Sequence, residues 1–265
     1  MISDIGTRTL KLTIAYEGTR YAGWQVQNSS NQQSAHSNQQ PTIQGTLERV
    51  LKQILQESVK VVGSGRTDAG VHAEAQVAHV KVRSVIPCDR LLRSLNQLLP
   101  PDIAVTALQD VPATFHARFR AVRKRYCYRV FTGPVVPPFI RRYVHHVRTP
   151  LDLALMRREL STLTGRHHFL AFAHHVGTGR STIRTLTCAA LRPHGKELHF
   201  EFEGNGFLHT MVRSLVGTVL DVGRGRLPEG TVRRMLRTRA RRLAGTTAPA
   251  RGLTLVAVTY RRRDD

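Results

Sequence analysis

The sequence predicts an α+β protein made of two split-βαβ halves, of the ferredoxin or RRM-like kind, forming a mixed, mainly antiparallel sheet with a site in a central cleft. Three observations predict it. Period-two apolar runs are interleaved with helical-period stretches but without strict βαβ alternation. The pattern repeats in kind from Ala113 onward, which sets the halves at residues 1–112 and 113–265. A chain of 265 residues with 41% apolar content can bury one large core or two modest ones, and a cleft between halves is the natural place for a site.

TLKLTIAY, residues 9–16, alternates with Leu10, Leu12, Ile14 and Tyr16 on one face, the period of a half-buried strand. The polar stretch 28–40, NSSNQQSAHSNQQ, has too few apolar side chains to repay ordering and reads as a mobile loop. Ile43, Leu47, Val50, Leu51, Ile54 and Leu55 recur at helical spacing and predict a helix over 42–56. The strand VKVVG then leads into GSGRTDAG, and QVAHVKV forms another strand. A helix opened by Pro87 carries Leu91, Leu92, Leu95, Leu98 and Leu99, and the strand DIAVTAL closes the half.

In the second half RYCYRVF reads as a strand, and Leu153, Met156, Leu160 and Leu163 stripe a helix ending near Gly165. Strands follow over 182–191 and 197–202, then a long helix over 207–222, a short helix from near Pro228, and the strand LTLVAVTY.

Charge narrows the function classes. Forty Lys plus Arg stand against 18 Asp plus Glu, a net charge of +22, which predicts a polyanionic partner, nucleic acid first. The basic residues are spread over the chain instead of lying on one amphipathic helix, which disfavours a membrane surface. No apolar run approaches the ~20 residues of a membrane span, and MISDIGTRTLKL lacks a signal-peptide apolar segment. Cys88, Cys127 and Cys188 form no CxxC pair, so no disulfide framework or thiolate zinc site is indicated, and a soluble protein of the reducing cytoplasm is expected.

In so acid-poor a chain, Asp68 in GSGRTDAG raises the question of its use. A phosphate cradle does not fit: Gly63-x-Gly65 reaches Asp68 where a dinucleotide fingerprint has glycine, and no Lys-Ser/Thr pair follows. A metal site does not fit either. The 13 histidines include the pairs His145-His146, His167-His168 and His174-His175, but adjacent residues of a strand face opposite ways. The remaining chemistry makes Asp68 a nucleophile or base, with Arg66 favouring its ionised form and glycines letting the backbone approach a ligand. Taken alone, TDAG reads more readily as a capped tight turn, with Asp68 paired to Arg66, than as a catalytic site.

GSGRTDAGVHA resembles the signature of the tRNA pseudouridine synthase A (TruA) family. The resemblance extends in order through YEGTRYAGWQVQ, TIQGTLE, FHARFRAVRKRYCY, NGFLHTMVRSLVG and ARGLTLVAVTY, which covers nearly the whole chain. It implies the pseudouridine synthase fold and an isomerase that converts uridine to pseudouridine at positions 38, 39 and 40 of the tRNA anticodon arm. It implies a cytoplasmic homodimer that needs no cofactor and no metal.

The same resemblance implies Asp68 as the catalytic residue and Arg66 as the group that displaces the target base. It implies that Tyr126 stacks on the uracil, Arg213 pairs with the aspartate and Leu253 closes the apolar side of the pocket. Each role has a physical reason. Unstacking a base costs a few kcal/mol, and an aromatic face returns ~1–3 kcal/mol. A dry pocket strengthens the ion pair and excludes water from the loosened glycosidic bond. One carboxylate allows attack at C1′, attack at C6, or a glycal route.

Arg118, Arg120, Arg123, Lys124, Arg125 and Arg129 gather in sequence around Tyr126. Arg233, Arg234, Arg237, Arg239, Arg241 and Arg242 form a second group. Both suit phosphates, which position an RNA without choosing its bases. One stretch departs from the family, where a His/Asn-Asp-Phe-Thr/Ser-Ser-Phe segment is usual: HHFLAF places His168 at the acidic position, with Leu170 and Ala171 replacing hydroxyl residues. A non-catalytic RNA-binding protein of the same fold is the alternative.

Overall fold

The computed structural model describes residues 6–26, 40–174, 176–177 and 179–261; residues 28–39 of the polar loop lie outside them. The chain forms two units, residues 1–122 with 257–265, and residues 123–256. Both are α+β and mainly antiparallel.

The first unit contains β1 (Arg8–Tyr16), α1 (Ile43–Leu55), β2 (Val62–Gly63), β3 (His72–Val82), α2 (Cys88–Leu98) and β4 (Ile103–Val111). β1 pairs antiparallel with both β3 and β4, Leu12 lying opposite Ala78 on one side and Leu108 on the other. Its alternation puts Leu10, Leu12 and Ile14 on one face, all fully buried. The opposite face is buried as well, because Lys11 lies over the rings of Phe115 and Tyr260 at 5.7 and 5.1 Å. Those two rings join Val77 and Ala117 in a second apolar cluster, which residues 257–261 help to close. There Val122 N–H donates to Thr259 O at 2.9 Å and the Tyr260 hydroxyl to Ala117 O at 2.7 Å.

Helix α1 starts where its chemistry dictates: Thr42 caps it, accepting from Gly45 N–H at 3.1 Å, and Gln56 ends it in the left-handed region at φ 55°. Inside TIQGTLE, Gln44 Nε2 donates to Glu48 Oε1 at 2.8 Å, and the same carboxylate oxygen accepts from Val61 N–H at 2.9 Å. That side-chain bond occupies an N–H of VKVVG, and only Val62 and Gly63 pair as strand, with His79 and Ala78. In α2, Leu91 and Leu95 are buried but Leu98 is 44% exposed, so the leucine run is broader than the buried stripe.

The second unit contains β5 (Arg123–Phe131), β6 (His145–His146), α3 (Leu153–Ser161), β7 (Gly165–His168), β8 (Ile183–His194), β9 (Glu197–Gly204), α4 (Met211–Gly223), α5 (Thr231–Thr238) and the start of β10 (Leu253–Thr259). Its antiparallel order is β5-β9-β8-β7, with β6 parallel to β5. Tyr126, Tyr128 and Val130 lie opposite Phe202, Phe200 and Leu198, giving one continuous apolar face. Helix α4 begins at Met211, later than its pattern suggests: Thr210 sits at φ 59°, and Asn205 is tied to Thr185 by N–H to O at 3.1 Å and by N–H to Oδ1 at 3.0 Å.

Candidate active site

Asp68, Arg66 and Arg118 belong to the first unit; Tyr126, Arg213, Leu253, Arg123, Lys124 and Arg125 belong to the second.

The Asp68 loop is held from beneath by buried polar groups. Ser64 N–H donates to Val77 O at 2.7 Å, Ser64 Oγ meets Gln76 Oε1 at 2.6 Å, and Gln76 Nε2 donates to Gly65 O at 3.0 Å. The Tyr16 hydroxyl bonds Thr67 Oγ1 at 2.9 Å, and burial pushes its pKa up to about 12. Thr67 is buried, whereas Arg66 is exposed and Asp68 half-buried, so the loop offers its charged side chains from a fixed base. Arg66 Nε donates to Gln25 Oε1 at 3.2 Å.

The segment 18–24 forms the other support. Trp24 N–H donates to Thr67 O at 3.1 Å, Gly70 N–H to Tyr21 O at 3.3 Å, and Val71 N–H closes the turn on Asp68 O at 3.2 Å. Gly23 has φ +91°, and a Cβ on it would lie 2.5 Å from Thr67 O; one on Gly18 would lie 2.0 Å from Val71 O. Trp24, 1% exposed, fills the space beneath Gly63. These supports were not singled out as site residues from sequence, although the glycines of YEGTRYAGW carry the signal.

In the second unit Tyr126 is 7% exposed and meets Phe207 edge to face, with ring centroids 5.0 Å apart. Strand alternation sorts the basic cluster of β5. Lys124 shares the Tyr126 face, while Arg123, Arg125 and Arg129 face the other way. Arg123 pairs with Glu203 at 3.4 Å, and Arg129 holds Glu197 through two 2.8 Å bonds. Arg118 is exposed, its guanidinium 5.9 Å from the exposed Phe119 ring.

Arg213 and Leu253 are connected through the segment 245–253. Arg213 Nε donates to Ala248 O at 2.8 Å, and the Tyr128 hydroxyl donates to Pro249 O at 2.8 Å. Gly252 lies against the Tyr128 ring, where a Cβ would come within 2.6 Å, and Leu253 follows, 6% exposed. A Cβ on Gly217 of α4 would lie 1.7 Å from Thr246 O, so the segment runs directly on the helix.

Two charged groups not anticipated as internal complete the framework. Arg241 turns inward, donating to Ala171 O at 3.2 Å and Ser214 Oγ at 3.0 Å and lying 2.7 Å from His174 Nε2. Glu159 of α3, 2% exposed, accepts from the N–H of Gly230 and from that of Val232 at 2.8 Å, capping α5, which has no capping side chain of its own. His168, at the departure from the family pattern, has its Nδ1 3.1 Å from Thr182 Oγ1.

Among the described residues no group of three or more His, Cys, Asp or Glu is placed to hold a metal ion, and no helix is long and apolar enough to cross a membrane.

A half-buried carboxylate thus stands on a braced glycine loop in a strongly basic α+β chain. The chain matches the tRNA pseudouridine synthase family over residues 12–120 and 160–261. Proteins called tRNA pseudouridine synthase A are among its relatives. That of Acetivibrio thermocellus is 40% identical over 96% of this chain and 100% of its own. Those of Halalkalibacterium halodurans and Moorella thermoacetica are each 42% identical, over 93% and 95% of this chain and 90% and 99% of their own. This chain belongs to the tRNA pseudouridine synthase family.

Proposed function

We propose that this isomerase converts uridines 38, 39 and 40 of the tRNA anticodon arm to pseudouridine, acting as a homodimer in the cytoplasm with Asp68 as its catalytic carboxylate. The observation that carries the reading is the Asp68 loop, whose backbone is fixed from two sides while Asp68 is left half-buried and Arg66 exposed.

The reaction breaks N1–C1′, turns the uracil while it stays bound, joins C5 to C1′, releases the C5 hydrogen as a proton and places a proton on N1, so that the product is an isomer of the substrate. Nothing is oxidised or reduced. Asp68 acts on the sugar or base, Arg66 fills the place of the displaced base, and Tyr126 receives the uracil. The Phe207 edge-to-face contact restrains the Tyr126 ring, which lowers the entropic cost of stacking. Arg213 orients the aspartate, and Leu253 keeps water from the loosened bond. Lys124, Arg118, Arg123 and Arg125 bind phosphates, the last two from the other face of β5.

The test is conversion of an unmodified tRNA transcript carrying U38, U39 and U40, mapped by carbodiimide-dependent primer-extension stops, for wild type and Asp68→Asn under matched binding. Stops from wild type alone are expected. Binding by both with stops from neither would replace this reading with that of a non-catalytic RNA binder.

A further inference from the structure

We propose that the open cavity between the end of α3, β7 and α5 is a separate phosphate site, in which Arg233 and Arg237 grip the backbone of the RNA substrate. The proposal rests on the tRNA-modifying function above and adds a contact made by residues other than those given catalytic roles there.

The cavity has a volume of about 400 Å³ and is lined by Thr162, His167, Arg233, Leu236 and Arg237. Arg233 and Arg237 stand four residues apart on α5, hence on one face and separated by about 6 Å along the helix. Both are exposed. A like-charge pair at this spacing weakens a helix, and an anion between the two groups reverses that effect. Arg233 also sits in the first turn of α5, where the helix dipole disfavours a cation. Helix stability alone therefore does not account for its charge.

The neighbouring acids are already engaged. Glu159 faces inward onto the N–H groups of Gly230 and Val232, and Glu229 pairs with Arg158 at 2.7 Å. The uncharged polar groups are committed too. The Thr162 hydroxyl donates to Glu159 O at 2.7 Å, and His167 Nε2 lies 3.0 Å from Thr164 O, an acceptor, so that nitrogen carries its hydrogen there. Among the described residues neither guanidinium group has a hydrogen-bond or ion-pair partner, and their planar forks suit phosphate oxygens.

The helix beneath them is anchored by burial: Val232 and Met235 are fully buried, and Arg239, left-handed at φ 58°, closes the end by donating its N–H to Met235 O at 2.8 Å. The exposure of both arginines and the +22 charge favour a polymer backbone over a free nucleotide.

The experiment measures tRNA Kd from 50 to 250 mM KCl for wild type and Arg233→Ala/Arg237→Ala, with kcat at saturating tRNA, and titrates both proteins with inorganic pyrophosphate. Expected are a Kd about tenfold weaker at low salt, a salt slope smaller by about 1.4–1.8, and an unchanged kcat. An unchanged Kd and slope, with wild type still forming pseudouridine, would overturn the site and leave the enzyme's function standing. Absence of both tRNA binding and pseudouridine in wild type would overturn both. Pyrophosphate binding that needs the two arginines, with tRNA affinity independent of them, would identify a free-anion site and overturn the RNA contact.

Discussion

Arg213 and Ala248 hold each other twice: the Arg213 Nε–H donates to Ala248 O at 2.8 Å, and Ala248 N–H donates to Arg213 O at 3.1 Å. Helix α4 thereby sets the path of the chain into Leu253. The side chain that serves the proposed chemistry also anchors the backbone beside it.

Arg213→Lys removes the Nε donor and the planar fork together. The expected result is a fall in kcat/KM of about 100-fold with tRNA Kd within threefold of wild type. Tritium release from tRNA labelled at uridine C5 reads it directly; a kcat/KM near the wild-type value would detach Arg213 from the reaction.

Gly23→Ala forces a Cβ toward Thr67 O, 2.5 Å away, at a residue with φ +91°. We expect a stability loss of about 1–3 kcal/mol and, because the displaced loop carries Asp68, a kcat lowered about 100-fold. Urea unfolding and single-turnover kinetics separate the two effects. Normal kcat in a destabilised variant would show that Asp68 tolerates movement of its support.

Glu159→Ala leaves the N–H groups of Gly230 and Val232 without their acceptor in a buried place. The expected cost is about 2–4 kcal/mol. Glu159→Gln keeps one acceptor oxygen and should lose less. Equal losses in urea titrations of the two variants would mean that packing, not capping, is what Glu159 supplies.

His79 and His145 are both pushed down to about 4, in each case by burial first. For His79 the nearby His116 and Lys81 add to this, and for His145 Arg224, Arg251 and His146 do. As pH falls, the unfolded chain takes up these protons near ~6.5 while the folded chain does not until about 4. Stability is therefore fully present above pH ~6.5, declines between ~6.5 and ~4, and loses nothing further from these groups below that range. Thermal melts from pH 7.5 to 4 should show this slope, and His79→Gln should flatten it; an identical slope in the variant would assign the acid sensitivity elsewhere.

Much of the fold was legible because burial follows periodicity: β9 alternates strictly, and the marked Leu10, Leu12 and Ile14 of β1 and Ile43, Leu47, Val50 and Leu51 of α1 are buried, although unmarked Thr9, Lys11, Gln44 and Thr46 are buried beside them and Ile54 and Leu55 are only half-buried. The family was legible because ordered motifs carry it. Short pairings such as His145–His146 were not, since two residues carry no period. Glu159 was hidden for another reason: a glutamate in a helix normally faces water, and only the missing cap at Gly230 would have pointed to it. Arg241 was grouped with arginines expected to meet phosphates because its acceptors, Ala171 O and Ser214 Oγ, are remote in sequence. The sorting of Arg123 and Arg125 away from Tyr126 was available from strand parity alone.

Residues 257–261 belong to the first unit, although 134 residues of the second lie between them and Val122. A ribosome adding ~5–20 residues per second takes from several seconds to about half a minute to make that stretch. Through that interval Val77, Phe115 and Ala117 wait without Tyr260, while the continuous stretch 123–256 is completed. The half that is synthesised first is thus the half that is completed last, its second apolar cluster closed only when the final strand emerges.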